Sequence, residues 1–247
     1  MLVSPERLRL ANDHAAVAVR PAGLADLAAT IGTLGLSRPR PVVAVVGGAG
    51  LMDDDDLTDL FAHLIATAIS EMGAVAVDGG TDAGVMRMLG RSRESESRAF
   101  PLVGVAALGT VIFPGNPGGA EAVPLEPHHS HFVLVPGADF GDEAPYLART
   151  ATLLAGGAPS ATILVNGGEI AFEDCLLSVA EHRPVLVLGG TGRTADRIAA
   201  AAADPASCRD ERAVDLALSP WVRVTDVHNR RAAVTNLLKL LRSGPEI

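Results

Sequence analysis

The chain has 247 residues, of which 48% are apolar, 20% charged and 3% aromatic, and its formal net charge is −9. That much apolar material suffices for one large buried core, so one domain is expected across residues 1–247. The acidic balance without a basic stripe excludes nucleic acid and an anionic membrane as expected partners, and the few aromatics leave no platform for stacking single-stranded bases.

In chain order the pattern reads as repeated βα units. A short strand is predicted at residues 14–19, a helix at 24–34, a turn at Arg38-Pro39-Arg40-Pro41 and a buried strand at 42–46. A helix at 53–72 carries Leu57, Leu60, Phe61, Leu64, Ile65 and Ile69 at helical spacing and stops at Gly73. Strands follow at 74–77 and 102–106, with a helix starting at 83–89 between them. The second half continues the alternation: strand 132–135, helix 144–155, strand 162–165, helix 170–182, strand 185–188, helix 194–203 and a terminal helix at 229–241. Continuous rather than alternating apolar strands indicate a parallel sheet covered on both faces, a Rossmann-like α/β fold. The stretch 108–131 contains four prolines and four glycines, which exclude a regular helix or central strand. A hairpin or lid over a ligand site is the expected use of such an insertion, with a plain surface loop as the alternative.

Four strands end in glycine pairs: Gly47-Gly48 (with Ala49-Gly50 beyond), Gly79-Gly80-Thr81-Asp82-Ala83-Gly84, Gly167-Gly168 after Asn166, and Gly189-Gly190-Thr191-Gly192-Arg193. At a strand-to-helix junction a missing side chain lets backbone N–H groups approach an anion, and the next helix aims its positive end at it. One such turn is ordinary, but four at one sheet edge point to a phosphate-bearing ligand. Asp53 to Asp56 would compete with phosphate after Gly50, so the first choice is Gly189 to Arg193, with its glycines, the Thr191 hydroxyl and the Arg193 guanidinium.

Several sites are excluded. Asp53 stands where a dinucleotide fingerprint needs its third glycine, and neither a P-loop nor a Gly-x-Ser-x-Gly elbow occurs. His128, His129 and His131 lack zinc-site spacing, so no metal is expected and His131 is read as a ligand contact. Cys175 and Cys208 cannot form a disulfide framework and suit a reducing cytoplasm; Cys175 falls on the apolar side of its helix. Ser4-Pro5-Glu6-Arg7 near the start is no signal peptide, and no apolar run reaches membrane-spanning length.

The segment Asp78-Gly79-Gly80-Thr81-Asp82-Ala83-Gly84-Val85-Met86 resembles the glycine motif of the SLOG superfamily. Residues 125–135, 163–168 and 187–196 resemble its LSDAT branch, found in melastatin-type TRP channels, in a stand-alone prokaryotic form. The resemblance implies a Rossmann-like fold that recognises NAD-derived or related nucleotides, ADP-ribose being the channel branch's type ligand, with no cofactor required. The same superfamily contains the Lonely Guy phosphoribohydrolases, whose hallmark is Pro-Gly-Gly-x-Gly-Thr-x-x-Glu with an arginine on the preceding helix. Here the segment from Asn166 to Glu173 keeps the glycine pair, with Glu173 read as the final glutamate and Arg149 as the arginine, while Asn166, Ile170 and Ala171 depart from the motif. The resemblance thus implies a nucleotide sensor, with an N-glycosidic hydrolase using Arg149 and Glu173 or a scaffold with a vestigial pocket as alternatives. Asp78 and Asp82 suit ribose hydroxyls better than phosphate. The expected partner is a small-molecule nucleotide, and the chain is expected to form a homo-oligomer.

Overall fold

The computed structural model describes residues 4–48, 55–95 and 99–243. Nine strands form one sheet: β1 Glu6–Arg9, β2 Ala15–Val19, β3 Val42–Gly47, β4 Val75–Asp78, β5 Leu102–Ala107, β8 His131–Val135, β9 Ser160–Val165, β10 Val185–Gly189 and β11 Val222–Asp226. Their order is β1-β2-β8-β5-β4-β3-β9-β10-β11, with β1 antiparallel to β2 and every other neighbouring pair parallel. Two further short strands, β6 Val111–Ile112 and β7 Val123–Pro124, pair with each other outside this sheet.

Strand residues alternate between two cores, as a sheet covered on both faces requires. Val42, Ala44 and Val46 pack with α1 Leu27–Ile31, α5 Ala144–Ala155, α6 Glu169–Ala180, α7 Arg193–Ala203 and α8 Glu211–Leu218. Val43 and Val45 pack on the other face with α2 Asp55–Leu60, α3 Ala66–Glu71, α4 Gly84–Ser95 and α9 Arg230–Ser243. Between α2 and α3 the helix widens into a π turn at Phe61–Ile65, all in one continuous element. The expected start of that helix at residues 53 and 54 lies outside the described residues.

Three local readings are corrected. The helix expected at 24–34 is a 3-10 turn, Leu24–Asp26, followed by the five-residue α1. Elements β1, α8 and β11 appear where no element was expected. The insertion 108–131 is not a hairpin, its two short strands being parallel, and it brings Thr110 to the cavity described below. It replaces the crossover helix between parallel neighbours β5 and β8, and buries Val111, Phe113 and Leu125 against Ala106, Phe132 and Leu134. A parallel connection must cover the sheet it crosses, and these side chains cover it without a helix. Among the described residues no helix is long and apolar enough to cross a membrane.

Candidate functional site

From β3 the chain winds outward through β4, β5 and β8, and α5 then carries it back to β9 on the other side of β3. The crevice outside the carboxyl ends of β3 and β9 is therefore the topological switch point, where open α/β sheets bind ligands. A cavity of about 410 Å³ opens there, within the size range of small-molecule sites. Gly47 and Gly48 form its β3 wall. A Cβ on Gly47 would stand 2.2 Å from the Val165 carbonyl oxygen, so only glycine lets β3 and β9 close at this level.

One end of the cavity suits an anion. Helix α6 begins after Gly168 without a side-chain cap, and the first N–H groups of a helix have no partner inside it. Gly168, Glu169, Ile170 and Ala171 line the cavity, and Arg193 lines it beside them. The Nη2 of Arg193 lies 3.3 Å from where a Gly168 Cβ would be, so the missing side chain makes room for the guanidinium. Arg193 holds a left-handed backbone (φ 49°), a conformation uncommon for a residue with a side chain. It has no ion pair among the described residues. The Glu169 carboxylate, which would oppose a phosphate, is drawn aside by Arg212 (2.9 Å) and Arg197 (3.1 Å).

The rest of the lining is acidic and apolar. It includes Glu143 and Asp174 with Leu147, Met86 and Phe140. Burial, with Glu143 and Glu173 nearby, pushes the half-buried Asp174 carboxyl up to about 7. Burial likewise raises Glu143, although its carboxylate accepts a hydrogen bond from the Gly141 N–H at 3.0 Å. Phe140 remains 41% exposed at the mouth, next to Ile170, whose side chain lies 3.6 Å from where a Gly141 Cβ would be.

Of the residues expected from sequence, the structure brings Gly47, Gly48, Gly79, Thr81, Gly168 and Arg193 to the cavity. It assigns the rest elsewhere. The turn Gly189 to Gly192 does not line the cavity, and part of its hydrogen-bonding capacity is used: the Gly190 N–H donates to Asp196 Oδ1 (2.6 Å), and the Thr191 hydroxyl donates to the Leu188 carbonyl and accepts from the Asn166 N–H. Two N–H groups in the first turn of α7 are also spent, Thr194 N–H on the Gly167 carbonyl and Ala195 N–H on that of Asn166. Asn166 and Gly167 thus tie the end of β9 to the turn after β10 and the start of α7, and neither lines the cavity. Gly80 packs on Gly104, Gly84 starts α4, and Asp82 pairs with Arg87 at 2.7 Å.

The catalytic pair expected from the Lonely Guy resemblance is also corrected. Arg149 is exposed and bridges to Glu181 at 3.2 Å, and Glu173 is exposed outside the cavity. Counting nine positions from Asn166 places the motif's glutamate on Asp174, one residue beyond Glu173, and Asp174 is the residue in the cavity wall. Glu143, Phe140 and Asp174 were the functional candidates missed; the count along the motif could have found Asp174, whereas Glu143 and Phe140 carry no motif signal.

His131 opens β8 at the end of the sheet away from the crevice, paired with Ser130 Oγ at 2.8 Å. Burial and the Arg93 charge push it down to about 4. The other two histidines join a buried chain of charges. His129 bridges Asp78 Oδ1 (2.8 Å) and Glu126 Oε2 (2.7 Å), and His128 meets Glu126 Oε1 (2.6 Å). Burial alone would lower His129, but the two carboxylates hold it at about 9, so it is an imidazolium donating to both. Asp78 also accepts the Gly80 N–H at 2.8 Å. Asp78 is therefore a strut beneath the Gly79-Gly80 turn and not a ribose contact.

A family model described as SLOG in TRPM, prokaryote, matches residues 40–235. The transient receptor potential cation channel subfamily M member 2 of Rattus norvegicus is 26% identical over 210 residues, covering 70% of this chain and 14% of that protein. The subfamily M member-like 2 protein of Nematostella vectensis is 25% identical over 199 residues, covering 65% of this chain and 13% of its own length. The chain thus spans only about one seventh of the channel subunits it matches. The X-ray structure of TM1055, a structural-genomics target, superposes with a TM-score of 0.54 at 22% identity, covering 80% of this chain and 98% of that one. That likeness shows the shared fold.

Proposed function

The chain belongs to the prokaryotic family of SLOG domains of the TRPM type, and from that premise we propose that it binds a phosphate-bearing nucleotide or NAD-derived ligand, such as ADP-ribose, as a sensor. One observation carries the reading: the uncapped start of α6 and the unpaired Arg193 guanidinium converge on one end of the switch-point cavity. Together they offer backbone donors, a helix dipole and a cation, the combination that holds phosphate. The carboxyls of Glu143 and Asp174 suit ribose hydroxyls, which donate, and the apolar side chains of Phe140 and Ile170 in the lining suit a planar base. Ile170 and Ala171 place side chains where the Lonely Guy motif has glycine and threonine, which favours retention of the ligand over cleavage.

Hydrolysis is the second reading, and Asp174 is the observation that favours it. A carboxyl titrating near 7 in a ligand cavity can act as acid or base toward an N-glycosidic bond. Incubation with AMP and with ADP-ribose, followed by chromatography, separates the two. The sensor returns its ligand intact, and Asp174→Asn changes affinity only. Release of adenine that stops in Asp174→Asn would make the chain an enzyme. Absence of binding by either nucleotide at millimolar concentration would leave a scaffold with a vestigial pocket.

A further inference from the structure

Three carboxyls line the cavity, Glu143 at the start of α5 and Glu169 and Asp174 on α6, and only Glu169 has arginine partners. Among the described residues neither Glu143 nor Asp174 forms an ion pair, and the charges acting on Asp174 are the carboxylates of Glu143 and Glu173. Helix α6 packs against α5, α7, α8 and strands β3, β9 and β10. The three strands carry no titratable side chain. The arginines of the packed helices are turned elsewhere, Arg149 to Glu181, and Arg197 and Arg212 to Glu169. Asp142 accepts the Ala138 and Asp139 N–H groups. Arg193 is the one cation in the lining, and it stands beside Gly168 at the anion end.

The two unpaired carboxyls differ in what holds their charge. Glu143 accepts the Gly141 N–H at 3.0 Å, so a negative charge there has a donor. The carbonyl oxygen of Asp174 accepts the Ser178 hydroxyl, but among the described residues its carboxyl accepts no hydrogen bond. Desolvation without a donor favours the neutral acid, and the Asp174 carboxyl is pushed up to about 7. Asp174 follows Ile170 by four residues, so it stands one turn along α6 from the first N–H groups of the helix.

We propose that Asp174 binds the ligand as the carboxylic acid: a phosphate entering the anion end draws one proton from solvent onto Asp174 and leaves Glu143 as the charged acceptor, so the site holds its ligand more tightly as pH falls. The inference rests on the nucleotide reading above, which places phosphate at Gly168 and Arg193. Like charges within one cavity repel, and a proton on Asp174 removes one of them. The neutral acid also gains an O–H donor for an acceptor oxygen of phosphate or ribose.

The test is calorimetric titration of ADP-ribose, whose phosphates do not titrate near neutrality, in pairs of buffers with different ionisation enthalpies. The difference in heat between paired buffers counts the protons taken up. One proton held about one pH unit more firmly in the complex makes wild type bind roughly tenfold tighter at about pH 6 than at about pH 8.5. It also gives uptake of about half a proton per ligand near pH 7.5. Asp174→Asn, neutral and carrying a donor, should lose both slope and uptake, and near pH 8.5 should bind within about threefold of wild type at pH 6. Glu143→Gln removes the neighbouring charge and should move the rise to lower pH; it supplies the test if Asp174→Asn does not fold. Affinity that is flat with pH, proton release on binding, or a slope kept in Asp174→Asn overturns the proposal and leaves the nucleotide reading in place. Absence of ADP-ribose binding at every pH removes both.

Discussion

Replacing His129 should reveal how much of the fold's stability resides in the buried charge chain beneath the Gly79-Gly80 turn. Asp78, Glu126 and His129 are all at most 2% exposed, so His129→Ala leaves two carboxylates buried without their shared cation. Removing one member of a buried ionic network typically destabilises by about 3–5 kcal/mol. The same network sets a pH dependence. His129 rises from 6.5 in the unfolded chain to about 9 in the fold, so its contribution is complete below pH 6.5 and is lost as pH rises through 9. At 1.36 kcal/mol per pH unit that interval corresponds to about 3 kcal/mol. Urea unfolding of wild type should show a falling midpoint from pH 6.5 to 9.5, while His129→Ala starts lower and loses that slope. Parallel pH profiles for wild type and variant would refute the imidazolium bridge.

Gly47→Ala forces a Cβ to 2.2 Å from the Val165 carbonyl oxygen and 2.9 Å from Val85 Cγ1. It should lower stability by about 2–4 kcal/mol in thermal melts, and an unchanged midpoint would contradict the close approach of β3 and β9. Asp174 is raised to about 7, so the fold favours its protonated form, and the stability from that form is lost as pH rises from about 4 through 7. Asp174→Asn should therefore stabilise more at pH 8 than at pH 4.5, by on the order of 2 kcal/mol; a destabilised variant at pH 8 would argue for a structural carboxylate. Arg149→Ala and Glu173→Ala remove exposed side chains and should each change stability by less than about 1 kcal/mol and leave nucleotide affinity unaltered.

The sheet was legible because buried parallel strands are continuous apolar runs, such as 42–46 and 185–188, each punctuated by glycine. The edges were not. Glu6–Arg9 reads Glu-Arg-Leu-Arg, and β11 reads Val-Arg-Val-Thr-Asp with only Thr225 buried, so neither carries a buried-strand signal. Charges on such edges discourage pairing with other chains and also hide the strand from a hydrophobic pattern. The site was legible where chain geometry demands glycine, as at Gly47, Gly48 and Gly168. At Gly189 to Gly192 local sequence cannot show that Asn166 and Asp196 use part of that turn's hydrogen-bonding capacity. Glu143 and Phe140 reach the cavity only through the loop from β8 into α5, whose Asp142 carboxylate accepts the N–H groups of Ala138 and Asp139. Their placement depends on tertiary fold alone.

Calorimetric titration of ADP-ribose and AMP into wild type and Arg193→Ala probes whether phosphate sits between the start of α6 and the Arg193 guanidinium. Wild type should bind at least one of them, and Arg193→Ala should bind it more weakly by about 1.5–3 kcal/mol, the value of a charged hydrogen bond, with an unchanged thermal midpoint in the absence of ligand. Equal affinity in wild type and Arg193→Ala would contradict the placement and move the phosphate away from α6.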